Sequence, residues 1–378
     1  MGMKIIVIGL GYSGAIYAIN RKMNHPSDDI MFIEHLDKPL KKVLATGNGK
    51  CNIANSILNK DIYNDPFVFE TVSKHNHREI INFYDKLGLS LTTTEDGYLY
   101  PTSKAATSVR NILLKKFEEL KIKVHLSEEL VNYRLHGDHI EVVTSIDNYD
   151  CDRLVISAGG NASPKLGSNG VIYTILEDHK YEIDRIREGL CPIYTKEDTR
   201  ILDGVRISGA VTLLVNNKVT NVERGEILFK NKGLSGIVIF NQSRLIARHL
   251  GKNIRILIDL LPDISKGKLR EEIDKYSSDY VLDKYLDPKI KAYILARIDK
   301  NHDLFDLLTS LEFNFYKLYD FEFSQISVGG IKLRDIKPNF ESRIERNIYF
   351  IGEVLDADGP CGGYNLMWAF ASAIEASK

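Results

Sequence analysis

Lys4-Ile5-Ile6-Val7-Ile8-Gly9-Leu10-Gly11-Tyr12-Ser13-Gly14-Ala15-Ile16-Tyr17-Ala18 decides how the rest of this 378-residue chain is read. An unbroken apolar run at residues 4–8 predicts a parallel strand covered on both faces. Three glycines follow at Gly9, Gly11 and Gly14, and then small and apolar residues open a helix. The spacing suits a bound dinucleotide. Gly9 allows the tight turn, Gly11 lets a pyrophosphate reach the backbone, and Gly14 lets helix and strand pack closely, while Tyr12 and Ser13 supply first-turn amides. A second strand, Ile30 to Ile33, ends in Glu34, about 20 residues past Gly14, where an acid accepts ribose hydroxyls.

Composition bounds the remaining choices. Apolar residues make up 44% and charged residues 27%, with a formal net charge of −1, which is ordinary for a globular chain with a real core. The charge balance disfavours a large polyanion as partner, so nucleic acid is not expected. Cys51, Cys151, Cys191 and Cys361 lie far apart without CxxC spacing, which argues against a disulfide framework or a structural metal. No run approaches the roughly 18 apolar residues of a membrane span. A cytoplasmic protein acting on a small molecule is the expectation; oligomeric state is not legible.

After the first strand–helix–strand unit comes Lys41-Lys42-Val43-Leu44-Ala45-Thr46-Gly47-Asn48-Gly49-Lys50-Cys51-Asn52. Lys42, Thr46, Gly47, Asn48, Gly49, Lys50, Cys51 and Asn52 are candidates for contacting one extended anionic ligand through amides, side-chain donors and a cation. Thr107 to Leu120 has helical apolar spacing, and residues 122–126 and 140–143 read as strands. Residues 151–160 read as one further buried strand ending in Ala158, Gly159 and Gly160. No second GxGxxG follows it, and Pro164 interrupts the next helix start. One nucleotide site is expected, and no dedicated nicotinamide domain.

The chain ends on a strand over residues 347–353, closing in Gly352 and Glu353, then an acidic glycine-rich loop and an apolar helix. Asp358, Gly362, Gly363, Tyr364 and Asn365 complete the set of candidate cofactor-binding residues. Cys51 and Cys361 are expected to pack rather than react. His75 and His77 sit in a polar helix-like stretch and are expected to be solvated. No residue announces itself as a general base, so no catalytic residue is assigned.

The sequence resembles the aminoacetone-oxidase-like family of bacterial FAD-binding flavoproteins. The resemblance is carried by GLGYSG at Gly9, KKVLATGNGKCNIAN at Lys41, GYLYPTSKAA at Gly97, ISAGGNASPKLGSNG at Ile156, GEILFKNKGLSG at Gly225, QISVGGI at Gln325 and IYFIGEVLDADGPCGGYN at Ile348. It implies an α/β fold with a Rossmann-like FAD-binding domain built from both chain ends, residues 1–190 and 322–378. An inserted β-barrel-like domain (191–262 and 310–321) and a short helical domain (263–309) are implied between them. It also implies non-covalent FAD, with the acid at Glu353 accepting from the ribityl chain and the last helix start facing the flavin. NAD(P)H is left open as a transient electron donor. Lys50 stands where the family more often has arginine, Met367 where glutamine is frequent, and Ile237 at a common proline position. The functions in play are a flavin oxidoreductase of a small organic substrate, a small-amine oxidase using O2, an FAD-dependent tRNA-modifying enzyme and a non-catalytic flavin-binding protein.

Overall fold

The computed structural model describes residues 2–298 and 303–378. Residue 1 of the expected FAD-binding segment and residues 299–302 of the expected helical segment lie outside the described residues. The chain divides into two compact units, residues 1–187 with 326–378, and residues 188–325.

The first unit is built on a five-stranded parallel sheet. Its strands are β1 (Lys4–Ile8), β2 (Asp29–Glu34), β3 (Lys123–Leu126), β4 (Arg153–Ile156) and β5 (Ile348–Phe350), in spatial order β5-β4-β1-β2-β3. Ile5, Ile6, Val7 and Ile8 pair with both β2 and β4, which buries the run on both sides as its composition requires. Helix α1 (Tyr12–Asn24) buries Ala15, Ile16, Tyr17, Ala18 and Ile19, and the last helix, α2 (Tyr364–Ala376), packs beside it. Because all five strands are parallel, Ile8, Glu34, Ile156 and Phe350 end on one edge of the sheet, where ligands of such folds bind.

Two expected strands prove shorter, for identifiable reasons. The run 151–160 is split: Asn148–Cys151 belongs to an antiparallel three-stranded sheet, and the chain changes sheets at Asp152, whose carboxylate accepts the Lys4 amide. The final strand stops at Phe350 because Asn347 (φ 64°) and Gly352 (φ 75°) leave the β region at its two ends.

His75 corrects the expectation of a solvated side chain. It is buried, with Nδ1 2.7 Å from the Glu79 carboxylate and Nε2 2.6 Å from that of Glu375 on α2. Burial opposes its charge, but the two carboxylates prevail and hold its pKa above the ordinary value, with Lys378 a minor opposing charge. His77 is half-buried, and its Nδ1 lacks a hydrogen-bond partner. Because the folded pKa of His75 is raised, its stabilising contribution is complete below about pH 6.5 and declines as pH rises through the folded value. Urea titrations from pH 6 to pH 9 should show that decline in the native chain and a flatter profile in His75→Gln.

The second unit contains a closed six-stranded antiparallel barrel, in which Ile193–Thr195, Gly233–Ser235, Lys218–Lys230, Arg206–Val215, Ile254–Asp259 and Leu311–Leu318 follow one another. Val211, Leu213, Ile227, Phe229, Ile256, Ile258 and Phe313 are fully buried, the alternation expected of a side-chain-filled barrel. Helix Ile237–Ala247 follows the short strand. The predicted helical stretch appears as Lys266–Lys275, Ser278–Tyr285, Pro288–Leu295 and Leu304–Thr309. Ser265, Ser277, Asp287 and Asp303 cap those four starts with their side chains. The α/β class with a Rossmann-like sheet, a barrel and helices is thus observed.

Candidate cofactor-binding site

Each of the three glycines after β1 answers a different constraint. Gly9 has φ 90°, and a Cβ there would lie 2.8 Å from the Ser157 carbonyl oxygen. At Gly14 a Cβ would meet the Gly9 oxygen and Ser157 Oγ, both at 2.6 Å, so close packing of α1 on the sheet excludes any side chain. Gly11 differs. Its φ is −90°, open to any residue, and a Cβ there would meet nothing within 4 Å. Nothing in the chain itself requires glycine at position 11. The space there is open to a ligand approaching the backbone, and no side chain caps the α1 start beyond it.

Tyr12 and Ser13 are both buried in the first turn. The Tyr12 hydroxyl accepts from Tyr84 at 3.1 Å, and burial pushes its pKa well up, so its side chain belongs to the core. Ser13 Oγ stands 2.6 Å from where a Gly352 Cβ would be, which with φ 75° favours glycine just beyond the C-terminal strand.

Glu34 is buried, and its carboxylate already organises the turn around it. Oε2 accepts the Leu10 amide at 2.7 Å and Oε1 the Leu36 amide at 2.9 Å, with His35 Nδ1 at 3.2 Å. Burial would raise its pKa, but His35 and the two amides outweigh it and keep the carboxyl below its usual range. It stays charged, with lone pairs left for ligand hydroxyls. Glu34→Ala should therefore cost affinity and local order together. Losing charge-assisted hydrogen bonds of about 1.5–3 kcal/mol each predicts FAD binding weakened roughly 10- to 150-fold, measurable by flavin fluorescence on reconstitution.

The loop after β2 folds as a short helical segment, Lys42–Gly49, broken inside by Thr46 (ψ 141°) and left-handed Gly47 and Asn48. Asn48 and Cys51, at φ 53° and 56°, are non-glycine residues held in that region. Ala45, Gly47, Asn48, Gly49 and Lys50 are exposed, whereas Cys51 is fully buried and burial pushes its thiol up to about 11. Cys51 is thus a protonated core residue in this structure, and Cys361 is half-buried.

Lys42 turns inward. Its Nζ lies 2.9 Å from Glu353 Oε2 and 3.3 Å from Ser168 Oγ, and the amide of Ser327 donates to the other Glu353 oxygen at 2.7 Å. Ser327 Oγ accepts the amides of Asn161 and Ala162, just beyond Ala158, Gly159 and Gly160. A Cβ at Gly160 would collide with Ser327. The carboxylate expected to meet the ribityl chain is therefore fixed from two sides.

The closing loop is clasped by residues 52–64. Asn64 accepts the Asp358 amide at 2.8 Å and donates to the Asp356 carbonyl, Asn55 donates to the Gly362 carbonyl, and Tyr63 donates to the Tyr364 carbonyl. Asn365 uses its own amide on Gly359 and Pro360. Gly363, at φ 95°, opens α2 without a side-chain cap, and a Cβ there would sit 2.6 Å from the Ala54 oxygen. Beside it, Asn52 Oδ1 is buried without a hydrogen-bond partner, as is Asn161 Oδ1. Orphaned acceptors of this kind are costly unless something donates to them.

Ser168, Ser327, Asn55, Tyr63 and Asn64 were missed by sequence reasoning. Ser168, Ser327 and Asn55 fall inside segments already singled out, but nothing local distinguishes them.

Residues 3–378 match the family described as HI0933-like protein Rossmann domain. Among similar proteins is a 3-dehydro-bile acid delta(4,6)-reductase of Clostridium scindens, 28% identical over 404 residues, spanning 99% of this chain and 98% of that protein. A ribosomal RNA dihydrouridine synthase of Escherichia coli K12 is 23% identical over 392 residues, spanning 97% and 95%. In fold, the chain is similar to a 3-ketosteroid delta1-dehydrogenase of Sterolibacterium denitrificans. That match has a TM-score of 0.53 and 10% identity, and it covers 100% of this chain and 98% of that one.

Proposed function

Because the chain belongs to the HI0933-like Rossmann family, we propose that it is a flavin-dependent oxidoreductase that holds FAD non-covalently and reduces a small unsaturated organic substrate. The observation that carries the cofactor reading is Gly11, a glycine that no part of the chain demands, at an uncapped helix start beside a buried charged acid. The pattern fits a pyrophosphate over α1 and an adenosine ribose on Glu34. Asn48, Gly49 and Lys50 are exposed in the loop after β2. Glu353, fixed by Lys42 and the Ser327 amide, is the acceptor for the ribityl hydroxyls. The start of α2 and the unpaired Asn52 acceptor suit the polar end of a flavin ring.

When bound, FAD supplies two-electron hydride chemistry, and the chain supplies orientation and electrostatics. The reductive direction is supported by the two relatives named above, a reductase and a dihydrouridine synthase, rather than by any residue of an amine site. NADH or NADPH is proposed as a transient donor, since the chain has one GxGxxG. The name of the Escherichia coli relative also favours a second reading, an RNA base as substrate. Anaerobic titration of the purified protein with NADH, NADPH and a panel of enones and amines decides the direction. Bleaching by a nicotinamide and reoxidation by an enone supports a reductase. Bleaching by an amine and reoxidation by O2 would replace it with an oxidase.

A further inference from the structure

The short antiparallel sheet beside the closing loop pairs Ala54–Asn55 with Tyr98–Pro101, and that strand with Leu91–Thr93. Its two-residue period turns Leu99 and Pro101 into the core and leaves Tyr98 and Tyr100 half-buried on the other face. Their rings meet edge to face at 6.5 Å. A Cβ built at Gly362 would lie 3.2 Å from both the Tyr98 and the Tyr364 rings, so the two aromatics flank the glycine loop that opens α2. Ile57, 55% exposed, adjoins them: its carbonyl accepts the Tyr364 hydroxyl at 3.0 Å. Burial raises the pKa of Tyr100 and brings that of Tyr364 up to about 12, so both phenols are neutral. Acids outnumber lysines in the two chain segments that carry Ile57, Tyr98 and Tyr100. Glu95 and Asp96 are exposed at the hairpin tip, and Asp61 and Asp65 outnumber the lysines in residues 56–65, where only Lys60 is found; Lys104 is the one lysine in residues 91–104.

Resting on the flavin reading above, we infer that Tyr98, Tyr100, Tyr364 and Ile57 form the wall that receives a neutral, flat, fused-ring substrate, with Tyr98 a specificity-determining residue. Aromatic and aliphatic surface beside a glycine loop favours a flat apolar body. The excess of carboxylates in these segments disfavours a phosphodiester chain, whose binding needs phosphate-neutralising cations. The wall thus selects a small hydrophobic molecule over an RNA strand.

The test uses the purified holoprotein, equilibrium dialysis with labelled progesterone as a neutral fused-ring enone, and a parallel arm with a single-stranded oligouridylate. Progesterone should bind and perturb the flavin absorbance, and the oligouridylate should not bind. Tyr98→Ala should weaken progesterone binding about 10-fold, the scale of one lost aromatic contact, with flavin content and melting temperature kept. Ile57→Glu, at an exposed position, should weaken it similarly and covers the case of a poorly folding Tyr98 variant. Progesterone affinity unchanged in both variants, no progesterone binding, or salt-dependent oligouridylate binding would each overturn the inference. Colourless protein would refute the flavin reading instead, and dialysis would still decide the wall.

Discussion

Gly11→Val is expected to give a protein that folds like the native chain and is purified nearly free of flavin. A Cβ at position 11 has no neighbour within 4 Å and the backbone there is already in an ordinary region. Stability of the cofactor-free protein should therefore change by less than about 1 kcal/mol, the scale of a helix N-cap substitution. The isopropyl group would instead occupy the approach to the α1 amides. A steric cost of about 1–3 kcal/mol or more lowers FAD affinity by roughly 5- to 150-fold or more. Gly14→Val is the contrasting case. Its Cβ would collide with the Gly9 oxygen and Ser157 Oγ, so fold and flavin should be lost together. Reconstitution with FAD and a melting curve of the cofactor-free protein separate the two behaviours. A Gly11→Val protein that kept full flavin would remove the phosphate-loop assignment.

Trp368→Ala should produce the largest loss of stability among side-chain truncations near the site. The indole is almost fully buried in α2, its Nε1 donates to the Gly352 carbonyl at 3.0 Å, and its ring lies 5.6 Å from Phe340. Removing a ring of this size from a packed interior costs about 3–5 kcal/mol, a fall in melting temperature on the order of 10 °C. Trp368→Phe keeps most of the volume but removes the indole donor, leaving the Gly352 carbonyl only the Leu355 amide at 3.4 Å, for about 0.5–1.5 kcal/mol. Gly352 precedes Glu353, so flavin release, read by its fluorescence on heating, should shift with the protein melt in both variants. A Trp368→Ala chain as stable as the native one would mean that α2 is not packed as described.

The nucleotide-binding half of the fold was legible because its signals are local. The run from Lys4 to Gly14 and the acid at Glu34 each follow from spacing within about 30 residues. What the sequence hid depends on register and on contacts across the chain. Lys42 reads as a loop cation, yet it pairs with Glu353, 311 positions away. Ser327, which fixes the same carboxylate and the turn after Gly160, lies in a buried strand with no local mark. His75 sits among polar neighbours in sequence, but its second carboxylate partner comes from the last helix. The split of the 151–160 run shows the same limit: an apolar stretch does not say that its first residue belongs to a different sheet. The family match agrees with the flavoprotein resemblance at the level of the Rossmann domain. An aminoacetone-oxidase specificity has no such support.

The most direct test is of the cofactor itself. Purified protein should be yellow, and heat or acid denaturation followed by chromatography should release FAD at about one per chain. Glu34 is the reason to expect FAD, since only a dinucleotide brings an adenosine ribose to that carboxylate. Released FMN, or a colourless protein that takes up no FAD on reconstitution, would contradict the assignment.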